Sequence, residues 1–136
     1  MLGSRESRIE LYVHAIWATW RRRPLIDREI EPRIFRAIAE KCDELNCALR
    51  AIGGTADHLH VLLRMHPSRS VAGVVGAAKG ASSHLVHREI GEPFRWQTGY
   101  SAFTVAAQDV SVIESYIRRQ KEHHLHNAIE PRLELG

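Results

Sequence analysis

The chain has 136 residues, of which 44% are hydrophobic and 26% charged, with a formal net charge of +3. That length suits one compact domain over residues 1–136, and the balance of apolar and charged residues excludes wholesale disorder. No run approaches the ~20 apolar residues needed to span a bilayer, and no N-terminal stretch joins a basic start to a long apolar run. A cytoplasmic protein without a membrane partner is therefore expected.

Residues 9–20, IELYVHAIWATW, are rich in β-branched and aromatic side chains and read as a strand covered on both faces. The Arg21-Arg22-Arg23-Pro24 run must be a loop, because proline cannot donate to a ladder and the arginines need water. Arginine supplies sixteen of the nineteen basic residues, and its planar fork grips phosphate in a way lysine cannot. From about Glu29 to Leu45, Ile30, Ile34, Ile38, Cys42 and Leu45 recur every three or four residues. They make one apolar helical stripe, with Pro32 suited to the first turn. Cys42 and Cys47 lack C-x-x-C spacing and make neither a disulfide framework nor a zinc site by themselves, so reduced thiols are expected.

Cys47 to Gly53 reads as a second strand and His58 to Met65 as a third, with a hairpin-like connection between them. Pro67 breaks the third strand, and Ser68 or Ser70 can cap a helix running to about Glu89. Its apolar side is Val71, Val74, Val75, Ala78, Leu85 and Val86, and Gly91-Glu92-Pro93 stops it. Phe94 to Ala106 is expected to form a fourth strand with an irregularity at Gly99. Asp109 or Ser111 then opens a last helix to about His126. Residues 1–8 and 127–136 are expected to be loosely ordered tails. The order βαββαβ, plus one further helix, folds most simply as an α+β ferredoxin-like sandwich with one sheet.

Two features carry chemistry. In Asp57-His58-Leu59-His60, side chains two apart on a strand point the same way. His58 and His60 project together as half a coordination shell for a divalent metal, while Leu59 packs on the opposite face. In Tyr116-Ile117-Arg118-Arg119-Gln120, positions i and i+4 share one face of a helix. Tyr116, Gln120 and, one turn on, His124 form a polar stripe, whereas Val110, Ile113 and Ile117 form the packing surface. Each feature is weak alone, since a helical tyrosine is more often a packed aromatic with a wet hydroxyl. Together they are complementary. A phenol with a pKa near about 10 is a poor nucleophile, and a metal ion beside a phosphate compensates by polarising it. The carbonyl oxygen of Gln120 would add a third ligand to the two histidines.

These blocks, in this order and spacing, resemble the single-tyrosine HUH transposases, those of the insertion-sequence-200/605 type and their REP-associated relatives. The resemblance covers roughly residues 10–125. It runs through Tyr12-Val13-His14-Ala15-Ile16-Trp17, Arg22-Arg23-Pro24 and Asp57-His58-Leu59-His60-Val61-Leu62-Leu63. Lys79-Gly80-Ala81-Ser82, Trp96-Gln97-Thr98-Gly99-Tyr100 and the pair Tyr116 and Gln120 complete it. The resemblance implies that Tyr116 attacks a single-stranded DNA phosphodiester to give a 5′-phosphotyrosine and a free 3′-hydroxyl. It implies Mg²⁺ or Mn²⁺ held by His58, His60 and Gln120, recognition of imperfect DNA hairpins, and a homodimer in which the tyrosine serves its own or the partner's histidines. Arg21, Arg22, Arg23, Lys79 and Arg118 are the expected DNA contacts.

Two departures from the family pattern are the short tail and Val105-Ala106-Ala107, where relatives often carry a glycine turn. Two other readings stand beside this one. A domesticated hairpin-binding protein would keep the fold without mobilising an element. A ferredoxin-like metal-binding or regulatory module would leave Tyr116 structural.

Overall fold

The computed structural model of the chain describes residues 7–121 and 133–134. Its elements are β1 (Tyr12–Ala18), α1 (Ile30–Glu44), β2 (Ala48–Gly54), β3 (His58–Arg64), α2 (Val71–Glu89), β4 (Ser101–Val105) and α3 (Val110–Arg118). The four strands form one antiparallel sheet in the order β2-β3-β1-β4. This is the expected α+β ferredoxin-like arrangement.

β1 is shorter than the apolar run that contains it, because Trp20–Arg22 close into a 3-10 turn instead of extending the strand. The Thr19 amide donates to Asp57 O, and those of Arg22 and Arg23 donate to the carbonyls of Thr19 and Trp20. All seven residues of β1 are buried, as a central strand covered on both faces requires. Its odd residues Val13, Ala15 and Trp17 join Leu59, Val61 and Leu63 of β3 in the larger core, under α1 and α2.

The stripe Ile30, Ile34, Ile38 and Cys42 is buried on α1. The Asp27 carboxylate accepts from the amides of Glu29 and Ile30, both at 2.9 Å, and so satisfies donors that the first turn leaves open. Asn46, with φ of +58°, turns the chain out of α1 into β2. Of the two candidate caps for α2, Ser70 is the one used, accepting from the Gly73 amide at 3.0 Å. Arg36 of α1 reaches Glu89 at the end of α2, with a 2.8 Å contact. Cys42 and Cys47 are free and buried, and burial pushes the Cys42 thiol up to about 11.

The fourth strand does not begin at Phe94. Phe94 and Trp96 are buried in alternation, but among the described residues the ladder contact there is a single bridge between Thr19 and Trp96. The ammonium of Lys79 donates to the carbonyls of Gln97 (2.8 Å) and Gly99 (3.0 Å), and Gly99 has a φ of +92°. Carbonyls gathered on one lysine and a left-handed glycine bend the backbone away from β1 until Ser101.

α3 covers the opposite face of the sheet. Val110, Ile113 and Ile117 pack on Tyr12, Ala51 and Leu62, with Leu133 against the same cluster. The helix approaches so closely that a Cβ on Gly53 would lie 2.1 Å from the Ile117 carbonyl oxygen. α3 ends at Arg118, and Arg119 leaves the helical region with ψ of 25°. Gln120 and Lys121 are helical again, and the expected continuation from there toward His126, including His124, lies outside the described residues.

Gly53→Ala should therefore force α3 off the sheet and destabilise the fold by roughly 1–3 kcal/mol, as overpacking does. Gly76→Ala, where an added Cβ meets nothing within 4 Å, should be neutral or stabilise by about 0.4–1 kcal/mol. Denaturant midpoints of the two variants check the contrast.

Candidate active site

The β1–β3 register sets Ile16 opposite His60 and Ala18 opposite His58. Even-numbered residues of both strands thus share the face beneath α3, and His58 and His60 lie on it with ring centroids 5.2 Å apart. Both are buried. Leu59 points to the other core, as the strand period dictates.

Each imidazole is fixed through its Nδ1. His58 Nδ1 lies 2.8 Å from Asp57 Oδ1 and 2.9 Å from Thr55 Oγ1. The turn that carries these partners is tight: the Thr55 amide donates to His58 O, and a Cβ on Gly54 would lie 2.2 Å from that oxygen. His60 Nδ1 lies 2.8 Å from His14 Nε2, and the two rings stack at 5.1 Å. Both Nε2 atoms are left to face α3. Buried histidines oriented by an outer carboxylate or ring in this way are prepared for metal coordination.

α3 and the turn that follows it bring Tyr116 and Gln120 to the same place. Tyr116 is buried with its ring 6.0 Å from that of His60. Gln120 Oε1 lies 3.4 Å from His58 Nε2. The expected tyrosine, two histidines and glutamine are therefore neighbours within one chain.

A fifth group sits among them. Glu134 Oε1 is 3.0 Å from His60 Nε2 and 3.5 Å from His58 Nε2. Its Oε2 accepts from the Tyr116 hydroxyl and lies 3.4 Å from Gln120 Nε2. Beside it, Leu133 packs on the second core.

The electrostatics follow from these contacts. Burial acts to lower the pKa of His58, but its bonds to Glu134 and Asp57 outweigh that and hold it above the usual value. Burial likewise acts to raise the pKa of Glu134, yet His58, His60 and Tyr116 keep it far below the carboxylate range. Burial and the adjacent His60 push His14 down to about 4, so His14 is neutral near pH 7. A neutral His14 can accept a hydrogen bond from His60 Nδ1, which puts the His60 lone pair on Nε2, the atom that faces Glu134.

The donor set fits a divalent ion. One ligand atom each from His58, His60 and Glu134 lie within 4.8 Å of one another. Imidazole nitrogen with carboxylate or carbonyl oxygen is a set that first-row divalent metals accept.

The arginine loop stands beside this site. Arg21 and Arg22 both have positive φ, 54° and 56°, a strained pair for non-glycine residues. The Arg21 amide donates to Gln97 Oε1, and the Arg22 guanidinium reaches Asp57 at 3.4 Å. Arg23 contributes its carbonyl oxygen, which accepts from the Thr19 hydroxyl. Arg118 is exposed, donating to the Arg50 carbonyl at 2.9 Å. Lys79 is tied to the strand-leading turn through the two carbonyls already described.

Sequence reasoning assigned no role to His14, Thr55, Asp57 or Glu134. His14 was accessible in principle, because its parity on β1 matches that of His58 and His60 on β3 once the register is known. Glu134 left no periodic signal.

The family model for IS200-like transposases matches residues 7–120. The chain belongs to that family. It is 28% identical over 116 residues to the transposase of insertion sequence element IS200 from Salmonella typhimurium, covering 80% of this chain and 76% of that protein. The same element's transposase from Salmonella typhi matches equally. Among solved structures, a Deinococcus radiodurans protein assigned as a transposase superposes with a TM-score of 0.70 at 22% identity, covering 94% of this chain and 98% of that one. A REP-associated tyrosine transposase bound to a REP hairpin gives a TM-score of 0.67 at 14% identity, covering 95% and 76%. These two structures show the shared fold. Tyr116, His58, His60 and Gln120 lie inside the span matched by the IS200-like family, and Glu134 lies beyond it.

His14→Ala should weaken Mn²⁺ binding roughly 10–100-fold, the usual cost of losing an outer-sphere partner of a metal histidine. A calorimetric Mn²⁺ titration of the purified chain reads this directly. Wild-type affinity in that variant would show that His14 does not hold the His60 tautomer.

Proposed function

We propose that this IS200-like transposase cleaves and rejoins single-stranded DNA through Tyr116, assisted by Mg²⁺ or Mn²⁺ held by His58, His60 and Gln120. The observation that carries the reading is the convergence of the Tyr116 hydroxyl and the two His Nε2 atoms on one buried spot, with Gln120 beside His58.

Bound there, the divalent ion would polarise the phosphoryl oxygens and offset charge that develops on them. The chain's own residues do the rest. α3, clamped on Gly53, aims the Tyr116 oxygen at a phosphorus lying over the His pair. Attack forms the Tyr116 O–P bond and breaks the bond to the 3′ oxygen, giving a 5′-phosphotyrosine and a 3′-hydroxyl. The phosphodiester energy is retained, so the strand can be resealed by the reverse displacement without ATP. Burial of the site excludes water that would otherwise hydrolyse that linkage.

Hairpin DNA is the proposed substrate, in keeping with the REP hairpin bound by the structural relative. Arg21, Arg22, Arg23 and Arg118 would neutralise phosphates beside the site, and Lys79 would act with them from the turn it braces. A homodimer is also proposed. β4 lies at an edge of the sheet and exposes Ala102, Phe103 and Thr104, a surface suited to a second copy.

Incubation with labelled single-stranded hairpin DNA and Mn²⁺ should give a protein–DNA adduct that survives denaturant. Tyr116→Phe should abolish it, and an undiminished adduct in that variant would remove Tyr116 as the nucleophile. His58→Ala should lose both adduct formation and Mn²⁺ affinity, while double-stranded DNA of the same sequence should be a poor substrate.

A further inference from the structure

The position of Glu134 goes beyond this reading while resting on its metal site. The residue lies outside the matched family span of 7–120 and fourteen residues beyond Gln120, yet its side chain is only 11% exposed. It is not held by its carboxylate alone, because Leu133 packs on the second core beside it. An apolar anchor followed by an acid places one carboxylate oxygen on each half of the site. Oε1 faces the two imidazoles and Oε2 faces Tyr116 and Gln120.

The spacing matches coordination. Ligands at about 2.1 Å in an octahedral shell are separated by about 3.0 Å along each edge. A tetrahedral shell of the same bond length spreads them to about 3.4 Å. The distances from Glu134 Oε1 to the two Nε2 atoms, 3.0 and 3.5 Å, span these values. Charge argues the same way. Imidazoles that bind a metal do so in their neutral form, and with the phenol and the amide they then offer only dipoles, while a buried carboxylate is stabilised far more by a formal positive charge. A dication between the imidazoles and the carboxylate provides it. A carboxylate is also the side chain nearest to a phosphodiester in charge and in its paired oxygens, so both would compete for one place.

We propose that in the DNA-free protein Glu134 is a further ligand of the ion held by His58 and His60, and that a DNA phosphate takes over its position. Glu134 thus closes the site with its own carboxylate, and DNA binding requires that carboxylate to leave.

The test is a pair of affinities measured on the full chain. Mn²⁺ is titrated calorimetrically into DNA-free wild type, Glu134→Gln and His58→Ala. A single-stranded thymidine oligonucleotide is then titrated in the presence of Mn²⁺ into Tyr116→Phe, with and without Glu134→Gln, so that no adduct forms. Glu134→Gln should weaken Mn²⁺ binding by about tenfold or more, since it removes the anionic ligand. The same change should tighten the oligonucleotide by about threefold or more, because closed protein no longer subtracts from the competent fraction.

The opposite signs matter, since a merely structural role for Glu134 would weaken both affinities. Unchanged Mn²⁺ affinity in Glu134→Gln, with loss in His58→Ala, would overturn the ligand assignment and leave the histidine site standing. Weakened Mn²⁺ binding without tighter DNA binding would overturn displacement by phosphate. If wild type binds no Mn²⁺ that His58→Ala removes, the metal site itself fails and this inference fails with it. Melting curves of Glu134→Gln and of Glu134→Ala separate these outcomes from misfolding.

Discussion

The contact on which the site depends is the seating of α3 against β2 at Gly53. Without a side chain there, the Ile117 carbonyl comes nearer than any Cβ would permit. The apolar stripe Val110, Ile113 and Ile117 then fills the gap over Tyr12, Ala51 and Leu62. Arg50, where β2 shifts register against β3, pairs with Glu114 at 2.9 Å and pins the helix along its length. The apolar burial supplies the attraction, and the glycine sets the distance. That distance decides whether a tyrosine on α3 can share a hydrogen-bonded spot with histidines on β3.

The second constraint is the pairing of β1 with β3. A one-residue slip would turn His58 and His60 into the core under α1 and α2 and bring Leu59 to the polar face. The register is held by a continuous apolar set on the other face, with Val13, Ala15 and Trp17 alongside Leu59, Val61 and Leu63. It also delivers His14 to His60, so the packing that stabilises the sheet is the packing that orients a ligand. Asp57 and Thr55 do the same for His58 from a turn kept short by Gly54.

Local periodicity made much of this legible. The H-x-H spacing requires only that β3 be a strand, and the Tyr116–Gln120 spacing requires only a helical turn. The failures were non-local. β4 starts seven residues later than its composition suggests, because Lys79, distant in sequence, gathers the Gln97 and Gly99 carbonyls. Trp96 looks like a strand residue, but its indole N–H is claimed by Ser82 of α2 at 2.9 Å. His14 needed a strand register, and Glu134 needed a tertiary fold. No local pattern in the sequence around Glu134 announces that its carboxylate lies beside the histidines of β3.

Charge is distributed across the site in a definite order. Outside, the left-handed pair Arg21 and Arg22 projects guanidinium groups, with Trp20 under Arg95 at 3.9 Å and under Arg21 at 5.1 Å. Arg22 is linked to Asp57, and Asp57 to His58, so the loop proposed to meet DNA is two contacts from a proposed metal ligand. Inside, the charge is reversed by Glu134. A phosphate drawn by the arginines would meet a carboxylate already seated on the histidines. On the proposed reading, attraction at the rim would raise the local concentration of DNA, while the interior would admit only an anion able to displace the one the chain supplies. Binding and access to chemistry would then be separate steps, set by different residues of the same chain.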